Sequence, residues 1–377
     1  MDDTMSETTD FVAVARELGP GFAARAAEHD AADSFVSENY KALKEHGIFA
    51  AGVPAELGGG GASHGELCAM IRELAHHCGS TALAASMHTH PVAFMAYAWR
   101  GGNKGPEPML RRIAAERLIL ATSGGSDWLA GSGTLTKVDG GFKMNGRKIF
   151  GSGAPAANVL MTMGIYDDPS DGPTVIHFPV ALDAPGVTVL DTWRALGMRG
   201  TGSHDIELKD VFVPDAATQS VRRPAGKWHP AVHTVALIAL PVVYAAYLGV
   251  AEAARALALA ACNKRREDPS TAYLVGEMES ELCTAQIAHA DMVELARTAK
   301  PGPETSAAQL TRRGIVANAV LRTVEKALEV AGGGGFYRSA TIERLFRDVQ
   351  AARYHPLPDR PRQRLIGRVA LGLDIDG

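Results

Sequence analysis

The hydrophobic and polar positions of this chain change period twice. From about residue 11 to 116, alanine, leucine and other apolar residues recur at helical spacing among charged ones, with a break at the glycine run 58–61. Short packed helices are expected there. Between about 118 and 223 the apolar runs become short and β-branched, divided by Gly, Asp, Asn and Pro, as in LTKVDGGFKMNGRKIF and TVIHFPVALDAPGVTVL. That texture predicts a compact β domain, with Asp139-Gly140-Gly141 turning a hairpin between 134–138 and 142–145. Helical periodicity returns from Trp228 in long segments, roughly 231–263, 271–299, 304–331 and 341–354, which predict a four-helix bundle. The expected fold is mainly α with a central β domain: an N-terminal helical domain over 1–116, a β-barrel-like domain over 117–226 and a helical bundle over 227–377.

Composition narrows the partners. The chain has 377 residues, 46% hydrophobic and 21% charged, with a net charge of -4, so it can bury a sizeable core and offers no electrostatic case for nucleic acid or an anionic membrane. A phosphate-bearing ligand needs a local site. Cys68, Cys78, Cys262 and Cys283 are widely spaced without a CxxC pair, which argues against a disulfide framework or a structural metal. The acidic start MDDTMSETTDF lacks the features of a signal peptide, and apolar stretches such as 235–243 are too short to span a bilayer. A cytoplasmic location is expected.

The densest chemical signal is EVAGGGGFYRSATIERLFRDVQAARYHP, residues 329–356. A glycine run between helices lets backbone approach a flat or charged group closely. The block resembles the C-terminal signature of the acyl-CoA dehydrogenase superfamily, in which a GGxGF element touches the flavin and an Arg-Asp pair precedes the catalytic segment. The resemblance makes Gly333 and Gly334 candidate flavin contacts. It extends over nearly the whole chain. LKEHGIFAAGVPAELGGGGAS at 43–63 resembles the family's N-terminal turn, and LATSGGSDW at 120–128 its Thr-Glu-Pro-x-Ala-Gly-Ser-Asp loop, matched at Ser126-Asp127. NGRKIFGSGAPAANVLM at 145–161 resembles its Asn-Gly-x-Lys-x-Trp-Ile-Thr-Asn-Gly strand, with Phe150 and Ser152 in the tryptophan and threonine positions. Those two are expected beside the flavin ring, the aromatic covering a face and the hydroxyl donating to the reactive nitrogen. RALGMRGTGSHDIELKDVFVP at 194–214 resembles the Leu-Gly-Met-Arg segment, making Arg199 a candidate for a ligand charge.

Three departures bear on the reaction. The family's usual glutamate base falls at Pro356, and a minority's alternative glutamate falls at His233, so neither site holds a carboxylate. His233 and His355 therefore become the candidate bases, since neutral imidazole accepts protons near pH 7. His88, beside His90 in SMHTHPVAF, is a further polar spot and a candidate substrate contact. Where the family holds the adenosine half of FAD, this chain reads CNKRREDPSTAYLVGEMESE: Arg265 or Arg266 is the candidate for the charge, Phe-Gly and the glutamine are absent, and either FAD is held differently or the ligand is FMN.

The resemblance implies a flavin oxidoreductase, with an FAD-dependent dehydrogenase of an acyl thioester using a non-glutamate base as the leading expectation. Its partners would be a small-molecule substrate and an electron-transfer flavoprotein, and its assembly a homotetramer or dimer. An alternative comes from the two-component flavin monooxygenases, where Arg-Asp is followed eight residues later by histidine, as Arg347 is by His355; Ser152-Gly153 and Gly200-Thr201-Gly202-Ser203 also resemble that branch. There a separate reductase supplies reduced FMN or FADH2 to react with O2. A non-catalytic flavin-binding paralogue is the third alternative.

Overall fold

The computed structural model describes residues 9–125 and 127–377. Five helices come first: α1 (Phe11–Ala32), α2 (Ser37–Glu45), α3 (His64–His77), α4 (Gly79–Arg100) and α5 (Glu107–Glu116). Their starts follow capping chemistry. The Asp10 carboxylate accepts the N–H groups of Val12 and Ala13, and Ser63 forms a reciprocal box with Glu66 at the start of α3.

Eight strands follow: β1 (Leu120–Thr122), β2 (Thr134–Val138), β3 (Gly141–Gly151), β4 (Val159–Asp168), β5 (Gly172–Ala181), β6 (Val187–Val189), β7 (His204–Pro214) and β8 (Val221–Pro224). The sheet runs β6-β7-β3-β2-β4-β5-β8, and β1 pairs in parallel with β4. The expected hairpin is the β2–β3 pair, turned by Gly140 at φ +74°, where a side chain would be strained. β3 slips register against β7 between Lys148 and Gly151, a bulge at the site end of the strand.

The C-terminal unit holds α6 (Pro230–Ala261), α7 (Pro269–Thr298), α8 (Pro303–Ala331), α9 (Thr341–Val349) and α10 (Asp359–Ala370). The expected fourth long helix is shorter than its periodicity predicts. It ends at Val349, a 3-10 turn covers Gln350–Arg353, and α10 starts afresh after Pro358. A second difference concerns α6, which at 32 residues is long and apolar enough to cross a membrane, unlike its 235–243 stretch alone. It is the bundle's central helix, with 89% of its most apolar window buried.

Burying α6 creates a polar problem, because Pro241 has no N–H for the Leu237 carbonyl. Gln309 on α8 supplies one, its Nε2 donating to Leu237 O at 3.1 Å. His289 Nε2 lies 2.8 Å from Pro241 O, and His64 Nε2 the same distance from Ile238 O. Gln309 of α8 thus closes the gap in the ladder, while His289 of α7 and His64 of α3 meet neighbouring carbonyls of the same turn.

The Arg347-Asp348 pair fastens all three units. Arg347 donates to Asp30 of α1 at 2.9 and 2.6 Å, to Glu343 of its own helix, and to the Leu196 carbonyl in the β6–β7 connection. Asp348 accepts the N–H of Met198 in that connection. Gly197 is required here, since a Cβ would lie 2.2 Å from the Arg347 carbonyl oxygen.

Candidate active site

Phe150 near the end of β3 and Ser152 just after it have unusual surroundings. Phe150 adopts φ +58°, a costly conformation for a bulky side chain, and leaves its ring 47% exposed with the Trp193 ring edge-on at 5.9 Å. The bulge turns this ring off the sheet instead of into the β core. Gly124 and Gly125 form the neighbouring loop, where a Cβ on Gly125 would sit 3.5 Å from the Phe150 ring. Ser126, proposed from sequence as a flavin contact, lies outside the described residues.

Ser152 begins a line of hydroxyls. Its Oγ is 2.7 Å from Ser203 Oγ, which is 2.6 Å from Thr201 Oγ1, which donates to the Met198 carbonyl at 2.8 Å. The same Met198 gives its N–H to Asp348. Ser152 on the β domain is thereby joined to the Arg-Asp pair of the bundle.

The loop preceding β2 is held from below. Lys148, buried, places Nζ 2.7 Å from both Ser132 O and Ser132 Oγ and 3.8 Å from Asp127, and burial lowers its pKa to about 8. Arg223 donates to the carbonyls of Leu129 and Trp128 at 2.6 and 2.8 Å. These cations serve the loop backbone.

His355 faces the bundle. Its Nε2 lies 2.5 Å from the hydroxyl of Tyr247 on α6, and its carbonyl accepts from buried Arg313 at 2.6 Å. Burial, with smaller contributions from Arg313 and His90, lowers the His355 pKa to about 3, so the ring is neutral at pH 7. Burial holds the Tyr247 phenol well above its usual range. A buried phenol proton needs an acceptor, and among the described residues His355 Nε2 is the one in reach. Tyr247 therefore donates, and the His355 proton resides on Nδ1. Tyr247 gives no sequence signal, being one of two tyrosines, with Tyr244, in an apolar helix.

The other candidates lie elsewhere. His233 sits 14 residues before Tyr247 on α6, about 21 Å along the helix axis, and is not brought together with His355. Its Nδ1 is 2.7 Å from Ser306 Oγ and its ring stacks on Trp228 at 4.9 Å. His88 is committed to packing: Nε2 meets the Phe49 carbonyl at 2.7 Å and Nδ1 accepts the Leu120 N–H at 2.9 Å, leaving no ring nitrogen for a substrate. Arg199 spends its charge on Asp33 at 3.5 Å and on the carbonyls of Ala195 and Asp30. Arg265 donates to the Val330 carbonyl at 2.7 Å, finishing α8 beside the glycine run. Arg266 pairs with Glu267 at the surface.

The glycine run is a 3-10 turn, Gly332–Phe336, starting at φ +72°. A Cβ on Gly333 or Gly334 would meet nothing within 4 Å, and Phe336 is 88% exposed. Phe150's half-exposed ring beside the buried Ser152 hydroxyl fits a flat ring with a polar edge, which is the form of a flavin, and the bare glycine turn offers backbone to a second flat or charged group.

Family models agree with this geometry along most of the chain. The acyl-CoA dehydrogenase N-terminal domain matches residues 6–114, the middle domain 122–211 and the C-terminal domain 241–359. The amino sugar nitrososynthase RubN8 of Streptomyces rubradiris is 30% identical over 381 residues, 95% of this chain and 88% of its own length. This chain belongs to the acyl-CoA dehydrogenase-like superfamily. YdbM of Bacillus subtilis (strain 168), whose acyl-CoA dehydrogenase name is provisional, is 29% identical over 90% of each chain. The structure of KijD3 in complex with FMN and dTDP-3-amino-2,3,6-trideoxy-4-keto-3-methyl-D-glucose is 28% identical, covers 99% of this chain and 97% of that one, and has a TM-score of 0.88. Nitrososynthases and monooxygenases recur among the relatives of this superfamily member. These support a flavin-dependent oxidoreductase, and the flavin seen in the KijD3 neighbour is FMN, where the sequence favoured FAD.

Proposed function

We propose that this protein is a flavin-dependent monooxygenase that takes reduced FMN from a separate reductase and transfers one atom of O2 to a small molecule. The observation that carries this reading is the His355–Tyr247 pair. Where the dehydrogenase pattern needs a carboxylate base, this site has an imidazole with a pKa near 3 whose Nε2 is already occupied by a phenol. Such a ring is a poor proton acceptor. With its proton on Nδ1 it is a hydrogen-bond donor, suited to orienting a substrate oxygen or nitrogen.

When bound, reduced flavin supplies the two electrons with which one oxygen atom enters the substrate and the other leaves as water. The chain's own residues do the positioning. Phe150 covers a ring face, Ser152 meets a polar edge, and the neutral His355 presents its Nδ1–H. Arg313 fixes the His355 backbone by gripping its carbonyl and that of Arg353 at 3.3 Å. The similarity to RubN8 and KijD3 supports an amino group, as on an amino sugar, as the oxygenated centre.

Dehydrogenation of an acyl thioester is the competing chemistry, and one pair of assays separates the two. Oxidised flavin bound to the protein should resist anaerobic bleaching by a series of acyl-CoA thioesters, while a reductase with NADH and FMN should drive O2-dependent conversion of amino sugar nucleotides. Rapid bleaching by an acyl-CoA would overturn the proposal.

A further inference from the structure

A cavity of about 340 Å³ lies between the β8–α6 connection and the start of α10. Leu129 of the β1–β2 loop, Trp228 just before α6, and Leu357 and Leu365 form its apolar walls, and the exposed Arg360 and Arg364 also line it. Its size is at the lower end for small-molecule sites, room for one part of a substrate. Leu357 stands two residues past His355, so the cavity begins within about 7 Å of the backbone of that histidine.

The charged groups around the cavity differ in what they already hold. Asp376 accepts the main-chain N–H of Trp228 at 2.9 Å, and Arg364 donates to the Gly377 carbonyl. Asp359, beside Arg360 in sequence, accepts from Arg362 at 3.1 Å. Arg360 lies four residues before Arg364, on the same face of α10, and has no hydrogen-bond or ion-pair partner among the described residues. Trp228 is a rigid wall. Its ring stacks on His233 at 4.9 Å and meets Trp128 edge-on at 5.6 Å.

From this we infer that the cavity holds the nucleoside diphosphate end of the substrate, with Arg360 on a phosphate and Trp228 against the base. A guanidinium offers paired N–H donors that match phosphate oxygens, and a fixed indole suits the flat face of a nucleobase. Arg360 is then a specificity residue, selecting a nucleotide-linked amino sugar over a free one. His233, a candidate base in the sequence, has a different task here: it buttresses Trp228. The inference rests on the oxygenase reading above and names the substrate class of that site.

Calorimetric titration with dTDP, without flavin or turnover, tests this directly. The wild type should bind dTDP and should bind thymidine at least about tenfold more weakly, since thymidine lacks the phosphates. Arg360→Gln should weaken dTDP binding by about tenfold, the scale of one charge-assisted hydrogen bond, and Arg360→Glu by more. Arg322→Gln, an exposed arginine on α8, should leave it unchanged. In turnover, Arg360→Gln should raise KM for an amino sugar nucleotide with kcat retained, and leave KM for the unlinked amino sugar as it was. No dTDP binding by the wild type, or equal affinity in Arg360→Glu, would overturn the inference, and O2-dependent turnover could still stand. Arg360-dependent dTDP binding without any O2-dependent product would instead sink the oxygenase reading and keep the nucleotide site.

Discussion

Asp348 on α9 accepts the main-chain N–H of Met198 across the junction of the bundle and the β domain, and it does so fully buried at 2% exposure. Met198 is also where the hydroxyl line from Ser152 ends. The Arg-Asp pair that sequence comparison treats as a marker is therefore a mechanical joint. Arg347 holds the N-terminal helix and Asp348 holds the β6–β7 loop where the hydroxyl line ends.

The joint has a pH signature. Burial outweighs the Met198 N–H and raises the Asp348 pKa to about 6, against about 3.9 for a free aspartate. The folded state binds this proton more tightly than the unfolded state, so the Asp348 contribution to stability falls as pH rises from about 4 to about 6, and is level above that. Asp348→Asn keeps an acceptor and removes the charge. Urea unfolding across pH 4 to 7 should show that the difference between wild type and Asp348→Asn grows through this window. Asp348→Leu leaves the Met198 N–H unpaired and should cost about 1–3 kcal/mol near pH 4, where the wild-type carboxyl is protonated, and less as pH rises to 6. A constant offset for Asp348→Asn would contradict the assignment.

Glu252 of α6 titrates with the opposite sign. Burial raises its pKa, but hydrogen bonds from His76, Arg72 and Gln286 outweigh this and bring it to about 2. Its stabilisation is full above the free-glutamate value of about 4.3 and is lost as pH falls through 2. Glu252→Gln, which strands Arg72 and His76 in a half-buried cluster, should cost about 3 kcal/mol at pH 7. Thermal unfolding at pH 7 and pH 2.5 should show most of that difference disappearing in acid.

The break in α6 offers a double-mutant cycle. Gln309→Leu removes the donor to the Leu237 carbonyl and should destabilise by about 1–3 kcal/mol. Pro241→Ala restores the helical N–H, so in that background Gln309→Leu should cost less. Equal costs in both backgrounds would show that Gln309 does not substitute for the missing proline donor.

Much of this arrangement was readable from pattern, and its limits have physical causes. The change from helical periodicity to short β-branched runs divided by turn residues marked the β domain, and Asp139-Gly140-Gly141 marked its hairpin, because turn chemistry is local. The end of α9 was missed because the 3-10 turn Gln350–Arg353 keeps nearly the helical spacing of side chains. At the site, Phe150 and Ser152 carried a motif, whereas the Tyr247–His355 and Ser152–Ser203 contacts join residues distant in sequence. His88 resembled a ligand-ready histidine since its sequence context cannot show that Phe49 and Leu120 occupy both nitrogens.

His355 should be silent in the physiological pH range. With a pKa near 3, the ring is neutral from pH 5 to 8, so substrate turnover should show no His355 step there. Tyr247→Phe frees the ring's tautomer and should lower turnover by about tenfold or more while leaving flavin affinity unchanged. An inflection near pH 6.5 that disappears in His355→Gln would show a titrating base instead.

Isotope incorporation addresses the central claim most directly. Protein supplied with FMN, NADH and a flavin reductase under 18O2 is given amino sugar nucleotides, and the products are weighed by mass spectrometry. The account predicts one 18O atom from O2 in the product of the first oxygenation, greatly reduced in His355→Ala. Desaturation of an acyl-CoA with no oxygen incorporated into any product would contradict it.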